Sequence, residues 1–583
     1  MKNGLYALAA LDGAPLDPAV ADAIFAGLST EPVRGASFAA IARDPRPDAA
    51  ARHDEGSCAD LFLGSLDEAD GLRRRLGLPA HANNARIAGA AQDRWGVEAA
   101  RTLGGEWTLL RWDGRAGTLV LLLSECLRDS CYYAVSEGRV AVAPTLVRLA
   151  GLDGVNGDFD PDGLVRTMGR HPLERSLGDH TFVKGVRRLP PGTQVTIRAD
   201  GRATETLPAP VVPEARAISF EAAVQEVEVL LRQIVRRRLA GAGDAAIMLS
   251  GGLDSSLVAW LASEERAPGQ RLHFLSSAAP EGTGVPDETG WAAIVADHLG
   301  VPVTPVTPGP DADVYAPGAR MLAGREGPIL SPRHYLYEAF EQAALARGAQ
   351  VLFDGVYGEL TVTNPGFAEA ADASWRRRLA HGLKAFLPRP AGDADPLHVR
   401  LAPHLRRQIP RLAAGAEAPG RKRPGATDAF GYAVGWEKSA LPPTNMGDPA
   451  VRYALPFRDR SLLALFASLP AGFAGQAGVP RAIGRAILKG RLPDRIVART
   501  SKMPFSPTYP HLLARQAGAA RERLVAQRAA GAAEWLDLDW LDRSLAAVES
   551  GGVSATRALF RIQATAMAAE FFRWWRDQGL KGR

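Results

Sequence analysis

One stretch constrains this chain more than any other: Ile247-Met248-Leu249-Ser250-Gly251-Gly252-Leu253-Asp254-Ser255-Ser256. An apolar run enters a Gly and Ser turn, and an apolar helix is expected to leave it near Leu257. Two glycines let backbone N–H groups approach an anion closely, serine hydroxyls donate to phosphate oxygens, and a following helix N-terminus adds the positive end of its dipole. Leu249, Ser250, Gly251, Gly252, Asp254, Ser255 and Ser256 are therefore expected to hold the pyrophosphate of a nucleotide. Asp254 would repel bare phosphate, so it implies a Mg²⁺ ion between carboxylate and phosphates, because that ion prefers hard oxygen ligands. No Lys precedes the serines, so this is not the Walker pattern. A plain strand-to-helix turn also uses Gly and Ser, but it does not require the whole string in this setting.

The rest of the chain agrees with a folded enzyme. Of 583 residues, 46% are hydrophobic and 23% charged, which excludes disordered, collagenous and coiled-coil classes. Lys and Arg number 69 against 64 Asp and Glu, and a net charge of +5 is too small to argue for nucleic acid. Cys58, Cys126 and Cys131 form neither a CxxC pair nor a zinc-type cluster. No apolar run reaches the roughly 18 residues of a membrane span. The apolar stretch Leu5 to Leu11 after Lys2 is broken by Asp12 and lacks a convincing cleavage site. A soluble, cytoplasmic protein with no nucleic-acid or membrane partner is expected.

The length favours more than one domain. Residues 1–206 read as short β-type runs, among them Trp107 to Arg111, Thr118 to Leu123 and Arg139 to Ala143, with Asp113-Gly114 as a hairpin turn. Residues 207–216 turn rich in Pro and Ala and read as a linker. From 217 to 583, Ser219 caps a helix carrying Val224, Val227, Leu231, Ile234 and Val235. Apolar runs at Ala245 to Leu249, Leu272 to Leu275, Val301 to Val306 and Gln350 to Phe353 then alternate with helical segments. That alternation predicts a parallel sheet with crossover helices, an α/β class overall. The Pro-, Gly- and Arg-rich segment 388–429 reads as a solvated surface loop.

The SGGxDSS string resembles the pyrophosphate loop of the ATP pyrophosphatase superfamily. Four further strings narrow the resemblance: Asp287-Glu288 opening a helix to Gly300; Asp354-Gly355-Val356-Tyr357-Gly358-Glu359 after a strand; Leu455-Pro456-Phe457-Arg458-Asp459; and Arg499-Thr500-Ser501-Lys502 before Pro504-Phe505. In that order they look like the synthetase domain of asparagine synthetase homologues. The resemblance implies an ATP pyrophosphatase domain with a parallel sheet flanked by helices, and ATP and Mg²⁺ as cofactors. It places Gly355 in the nucleotide site, Asp254 and Glu359 on the metal, and Lys502 beside the acyl-adenylate. Glu359 stands where Asp is usual and Tyr357 where Gly is usual, which leaves that loop's register open by one residue. Glu437, in Gly435-Trp436-Glu437-Lys438, lies where peptide-cyclising and β-lactam-forming relatives place a glutamate that helps deprotonate the amine, with Tyr357 as its partner. A buried or helix-surface Glu is the alternative for Glu437, and a solvated lysine for Lys502.

Residues 1–206 also resemble the family's glutamine-hydrolysing module, an N-terminal α+β sandwich of the Ntn type, through Gly104-Gly105-Glu106-Trp107 and Thr181 to Gly192. That module uses a Cys at position 2, and here position 2 is Lys2. Glutamine is thus not expected to supply the amine. Relatives with this loss include β-lactam and carbapenam synthetases and lasso peptide cyclases. The resemblance is read as nearest to a lasso cyclase, on the DGVYGE and KMPFSP strings and the Arg-rich 374–424 region. It implies a precursor peptide as substrate, and a leader-peptide-binding protein and leader peptidase as partners. A small-molecule or ammonia-dependent synthetase, an inactive scaffold subunit and a tRNA-modifying pyrophosphatase are the alternatives. The last is disfavoured by the weak basic excess and the missing Cys and zinc arrangements.

Overall fold

A computed structural model describes residues 4–580 apart from 29–31, 45–48, 126–130, 170–177, 208–213, 281, 326, 329–330, 365–396, 415–450, 502–504 and 554–555. The early strands are β1 (Gly4–Ala10), β2 (Val33–Arg34), β3 (Phe38–Arg43), β4 (Ala50–Glu55), β5 (Cys58–Leu66) and β6 (Gly105–Asp113). They continue as β7 (Thr118–Leu123), β8 (Tyr132–Ser136), β9 (Arg139–Ala143), β10 (Arg187–Arg188), β11 (Gln194–Ile197) and β12 (Ala203–Thr206). They pair antiparallel in two sheets, ordered β10-β8-β9-β1-β3-β2 and β12-β11-β7-β6-β5-β4.

Period-two alternation explains why β1 reads as an unbroken apolar run. Leu5, Ala7 and Ala9 meet Leu61, Leu63, Leu110 and Trp112 of the other sheet, whereas Tyr6 and Leu8 point into a second core on the outer face. Phe62, Trp107 and Leu109 likewise bury their outer face against the Asn84–Trp95 helix. The β6–β7 turn starts at Asp113, as expected, and extends to Gly117. The Asp113 carboxylate accepts from the amides of Arg115 (2.9 Å) and Ala116 (3.2 Å).

The predicted parallel sheet is present. Strands β13 (Asp244–Met248), β14 (Leu272–Ser277), β15 (Val303–Val306), β16 (Ala349–Phe353) and β17 (Arg452–Ala454) all pair parallel, in the order β15-β14-β13-β16-β17. The chain winds outward from β13 to β15, then returns to the other side of β13. The carboxyl ends of β13 and β16 therefore flank a topological switch point, where sheets of this kind bind ligands. Ala245, Ile247 and Leu249 face the helices Phe220–Leu239, Leu253–Glu265 and Thr289–Leu299. Ala246 and Met248 face the helix His334–Leu345 and the C-terminal helices Tyr509–Ala529 and Thr556–Asp577. Ser219 caps the first of these helices, its Oγ accepting from Ala222 N at 3.1 Å.

Aromatic packing joins the two halves. Phe159 packs edge-on against Trp535 and Phe572, and Phe182 against Phe571 and Trp575, with centroids 5.4 to 5.6 Å apart. Among the described residues, no helix is long and apolar enough to cross a membrane.

Candidate active site

The site grows from the end of β13. Leu249 extends the ladder by donating its amide to Leu275 O at 2.7 Å, and the chain then turns at Gly251, whose φ is +65°. A Cβ there would lie 2.6 Å from the backbone and Cβ of Trp291, so both the dihedral and the space demand glycine. The loop is wired internally. Ser250 N donates to Ser255 Oγ (3.1 Å), the two hydroxyls lie 3.0 Å apart, Gly252 N donates to Ser250 Oγ (3.3 Å), and Ser255 Oγ donates to Gly252 O (3.3 Å).

The following helix begins at Leu253 with Gly252 as its cap, earlier than the expected start near Leu257. Asp254, Ser255 and Ser256 therefore occupy its first turn. Polar residues suit that position because the first amides of a helix lack partners within it. Ser256 is fully buried, and its Oγ has no hydrogen-bond partner among the described residues.

The second loop leaves β16 at Asp354, which is buried. Its amide donates to Ala454 O (3.1 Å), and its Oδ1 accepts from Val356 N (3.1 Å). A Cβ on Gly355 would lie 3.0 Å from Ser255 N and 3.2 Å from the Cβ of Asp254; a Cβ on Gly358 would collide with the Asp254 carboxylate. Tyr357 is buried with φ 72°, a left-handed geometry that turns the chain into the short Gly358–Leu360 helix. Thr363 Oγ1 donates to Asp254 Oδ1. The structure thus brings Leu249, Ser250, Gly251, Gly252, Asp254, Ser255, Ser256, Gly355 and Tyr357 together at the switch point. Glu359 sits on the same short helix with its side chain exposed. Glu437 and Lys502 lie outside the described residues.

The Asp287-Glu288 string divides into two tasks. Asp287 Oδ1 accepts from Thr289 N (3.0 Å) and Thr289 Oγ1 (2.6 Å), and Oδ2 accepts from Ala279 N (2.9 Å), tying the helix start to the exit of β14. Burial acts to raise this carboxyl, but those three donors outweigh it and hold it below the usual carboxylate range. Glu288 instead faces Arg499, with Arg499 Nη2 3.5 Å from Glu288 Oε1 and both side chains buried. Arg499 Nη1 donates to Ser250 O at 2.8 Å, inside the Ser250 to Ser256 loop itself. Arg499 and Glu288 stand in strings that carry the family resemblance but hold no local sign of this pairing, and Thr363 carries no local signal at all.

Among the described residues, no group of three or more His, Cys, Asp or Glu is placed to hold a metal ion. A Mg²⁺ ion that arrives on nucleotide phosphates needs only one or two carboxylates from the protein. Asp254, set against the loop that carries Glu359, offers that kind of hard oxygen donor, so the residues present fit the ion.

A sequence profile described as asparagine synthase matches residues 226–436 and 449–574, more than half of the chain. Amidase chyE of Penicillium rubens is 26% identical over 342 residues, covering 47% of this chain and 49% of its own length. Amidase chry2 of Gibberella zeae is 26% identical over 231 residues, covering 37% and 33%. The chain thus spans about half the length of the first relative and a third of the second. A solved glutamine phosphoribosylpyrophosphate amidotransferase from B. subtilis aligns over 62% of this chain and 71% of its own, at 12% identity and a TM-score of 0.23.

Proposed function

Because the chain belongs to the asparagine synthase family, we propose that it activates a carboxylate with ATP and passes the acyl group to an amine, releasing AMP and pyrophosphate. The observation that carries this reading is the contact of Asp254 with Gly358 and Thr363, which brings the two strand-end loops against each other. A carboxylate oxygen attacks the α-phosphorus, the bond to the bridging oxygen breaks, and pyrophosphate is received by the Ser250 to Ser256 loop. The amine then attacks the acyl carbon and AMP departs with the former carboxylate oxygen. The amine's surplus proton passes to the Glu437 and Tyr357 pair. Lys502 stabilises the developing oxyanion, a contribution of several kcal/mol in a water-poor site. When bound by Asp254 and Glu359, Mg²⁺ supplies charge neutralisation for the phosphates.

In the finer reading, the acyl donor is an Asp or Glu side chain of a ribosomal precursor peptide and the acceptor is that peptide's own N-terminal amine. The product is then a macrolactam of the lasso type, and a leader-peptide-binding protein and leader peptidase are the partners. The ligation step is supported by family membership and loop geometry, and the relatives' name, amidase, belongs to amide chemistry too. The ring-closing substrate is supported by the sequence resemblance at DGVYGE and KMPFSP.

The test is exchange of labelled pyrophosphate into ATP with Mg²⁺, run against precursor peptides and small amino acids, with mass spectrometry of the products. Exchange with a peptide that loses a water as AMP forms is the expected result. Exchange driven only by a small carboxylic acid would replace the peptide substrate with a β-lactam-type or ammonia-dependent synthetase reaction. Absence of exchange with every carboxylate would overturn the ligase and leave an inactive scaffold.

A further inference from the structure

The phosphate loop is held from behind by groups outside the predicted nucleotide site. Arg499 donates from Nη1 to Ser250 O at 2.8 Å, and its guanidinium lies 4.5 Å from the Trp291 ring centre. The backbone of the same Trp291 packs against Gly251. Glu288 faces the guanidinium at 3.5 Å, and both side chains are almost wholly shielded. Arg499 is itself anchored, since its carbonyl accepts from Arg485 Nη2 at 3.0 Å and its amide donates to Ile496 O at 3.1 Å. A buried guanidinium whose charge-assisted bond goes to one particular loop carbonyl is a costly arrangement for packing alone.

The geometry of that carbonyl gives it a use. In a planar trans peptide the C=O and the following N–H point in opposite directions. With Ser250 C=O turned onto Arg499, the Gly251 N–H is turned away from it, and among the described residues this N–H has no acceptor. We propose that Arg499 is a positioning residue for pyrophosphate binding: by holding the Ser250 carbonyl, it fixes the Ser250–Gly251 peptide with its N–H presented to a phosphate oxygen. This inference rests on the ligase reading above for its ligand.

The test uses the full chain and the variants Arg499→Met, Arg499→Lys and Arg499→Met/Glu288→Gln. The double variant removes both charges of the Arg499–Glu288 pair together. Binding of magnesium pyrophosphate is measured by calorimetry, the KM for ATP and kcat by exchange, and folding by circular dichroism and Tm. The double variant is expected to keep a Tm near that of the wild type, while its pyrophosphate Kd and its KM for ATP rise roughly 10- to 100-fold, the usual effect of a misplaced binding group. Arg499→Lys should recover part of that loss. A folded double variant with wild-type pyrophosphate Kd and KM would overturn the proposal. So would an affinity loss that tracks only the unfolded fraction, including a double variant that fails to fold while Arg499→Lys binds pyrophosphate as the wild type does. If the wild type binds pyrophosphate but no carboxylate drives exchange, the ligase reading fails, while the binding arm still decides the role of Arg499.

Discussion

Asp254 sits where two loops meet, and its carboxylate is engaged by Thr363 while Gly358 leaves room for it. Asp254→Ala is expected to abolish ATP–pyrophosphate exchange with little change in Tm, because it removes the carboxylate that the proposed mechanism gives to the metal without emptying a hydrophobic core; near-normal exchange in the folded variant would refute that role. Thr363→Val tests the supporting contact. It should lower exchange less than the Asp254 change and shift mainly the KM for ATP, measured in the same assay. Asp254 was legible because the signal is contiguous: Ser250 to Ser256 carries its chemistry in one turn. Thr363 and Arg499 were not, because their partners lie 109 and 249 residues away along the chain. A threonine or an arginine at a distance has no local signature of what it will touch.

Elements show a similar division. The Ser219 cap and the apolar spacing of the Phe220–Leu239 helix were readable because capping and amphipathicity are local rules. Ser219→Ala should cost about 1 kcal/mol of stability and leave exchange unchanged, as urea unfolding and the exchange assay would show together. Gly251→Ala should behave differently. Its φ of +65° and the 2.6 Å approach of Trp291 leave no place for a Cβ, so the loop must shift. A rise in the KM for ATP of at least about tenfold is expected, and an unchanged KM would show that the loop does not contact the nucleotide. The helix begins at Leu253, ahead of the start near Leu257 expected from the sequence. The unpaired amides at a helix N-terminus draw the polar Asp254-Ser255-Ser256 run into its first turn.

At the scale of the whole molecule, the halves share packed aromatic side chains. Phe159, from the first 206 residues, packs against Trp535, Phe572 and Trp575. Phe159→Ala is expected to destabilise the chain by about 3 to 5 kcal/mol, and a Tm shift confined to a separate early transition would show that the halves do not unfold together. His334 gives the stability a pH dependence. It is fully buried, its Nε2–H donates to Val314 O at 3.2 Å, and its Nδ1 has no partner among the described residues. Burial pushes it down from the ordinary 6.5 to about 4. The native state therefore binds fewer protons at this site than the unfolded chain, and stability falls with falling pH. The contribution is fully present above pH 6.5 and is lost as the pH drops toward 4. Of the stability lost by the wild type between pH 7 and 5, His334→Gln should be spared about 1 to 3 kcal/mol. Denaturant midpoints at the two pH values measure the difference, and equal losses would refute it.

Sequence alone determined the Gly- and Ser-rich turn after β13, the alternation of strands and helices in the second half, the β-rich character of the first and the asparagine synthase family of residues 226–436 and 449–574. Each is written in residues close together, in periods of two or three to four, or in strings whose chemistry is self-contained. Only the tertiary structure decided that β16 returns beside β13, which brings Gly355 and Gly358 against Asp254, and that Arg499 reaches the carbonyl of Ser250. Those pairings depend on which strand becomes whose neighbour and on which polar group is left to be satisfied once the cores close. That is a condition on the whole folded chain and leaves no mark in any one stretch of it.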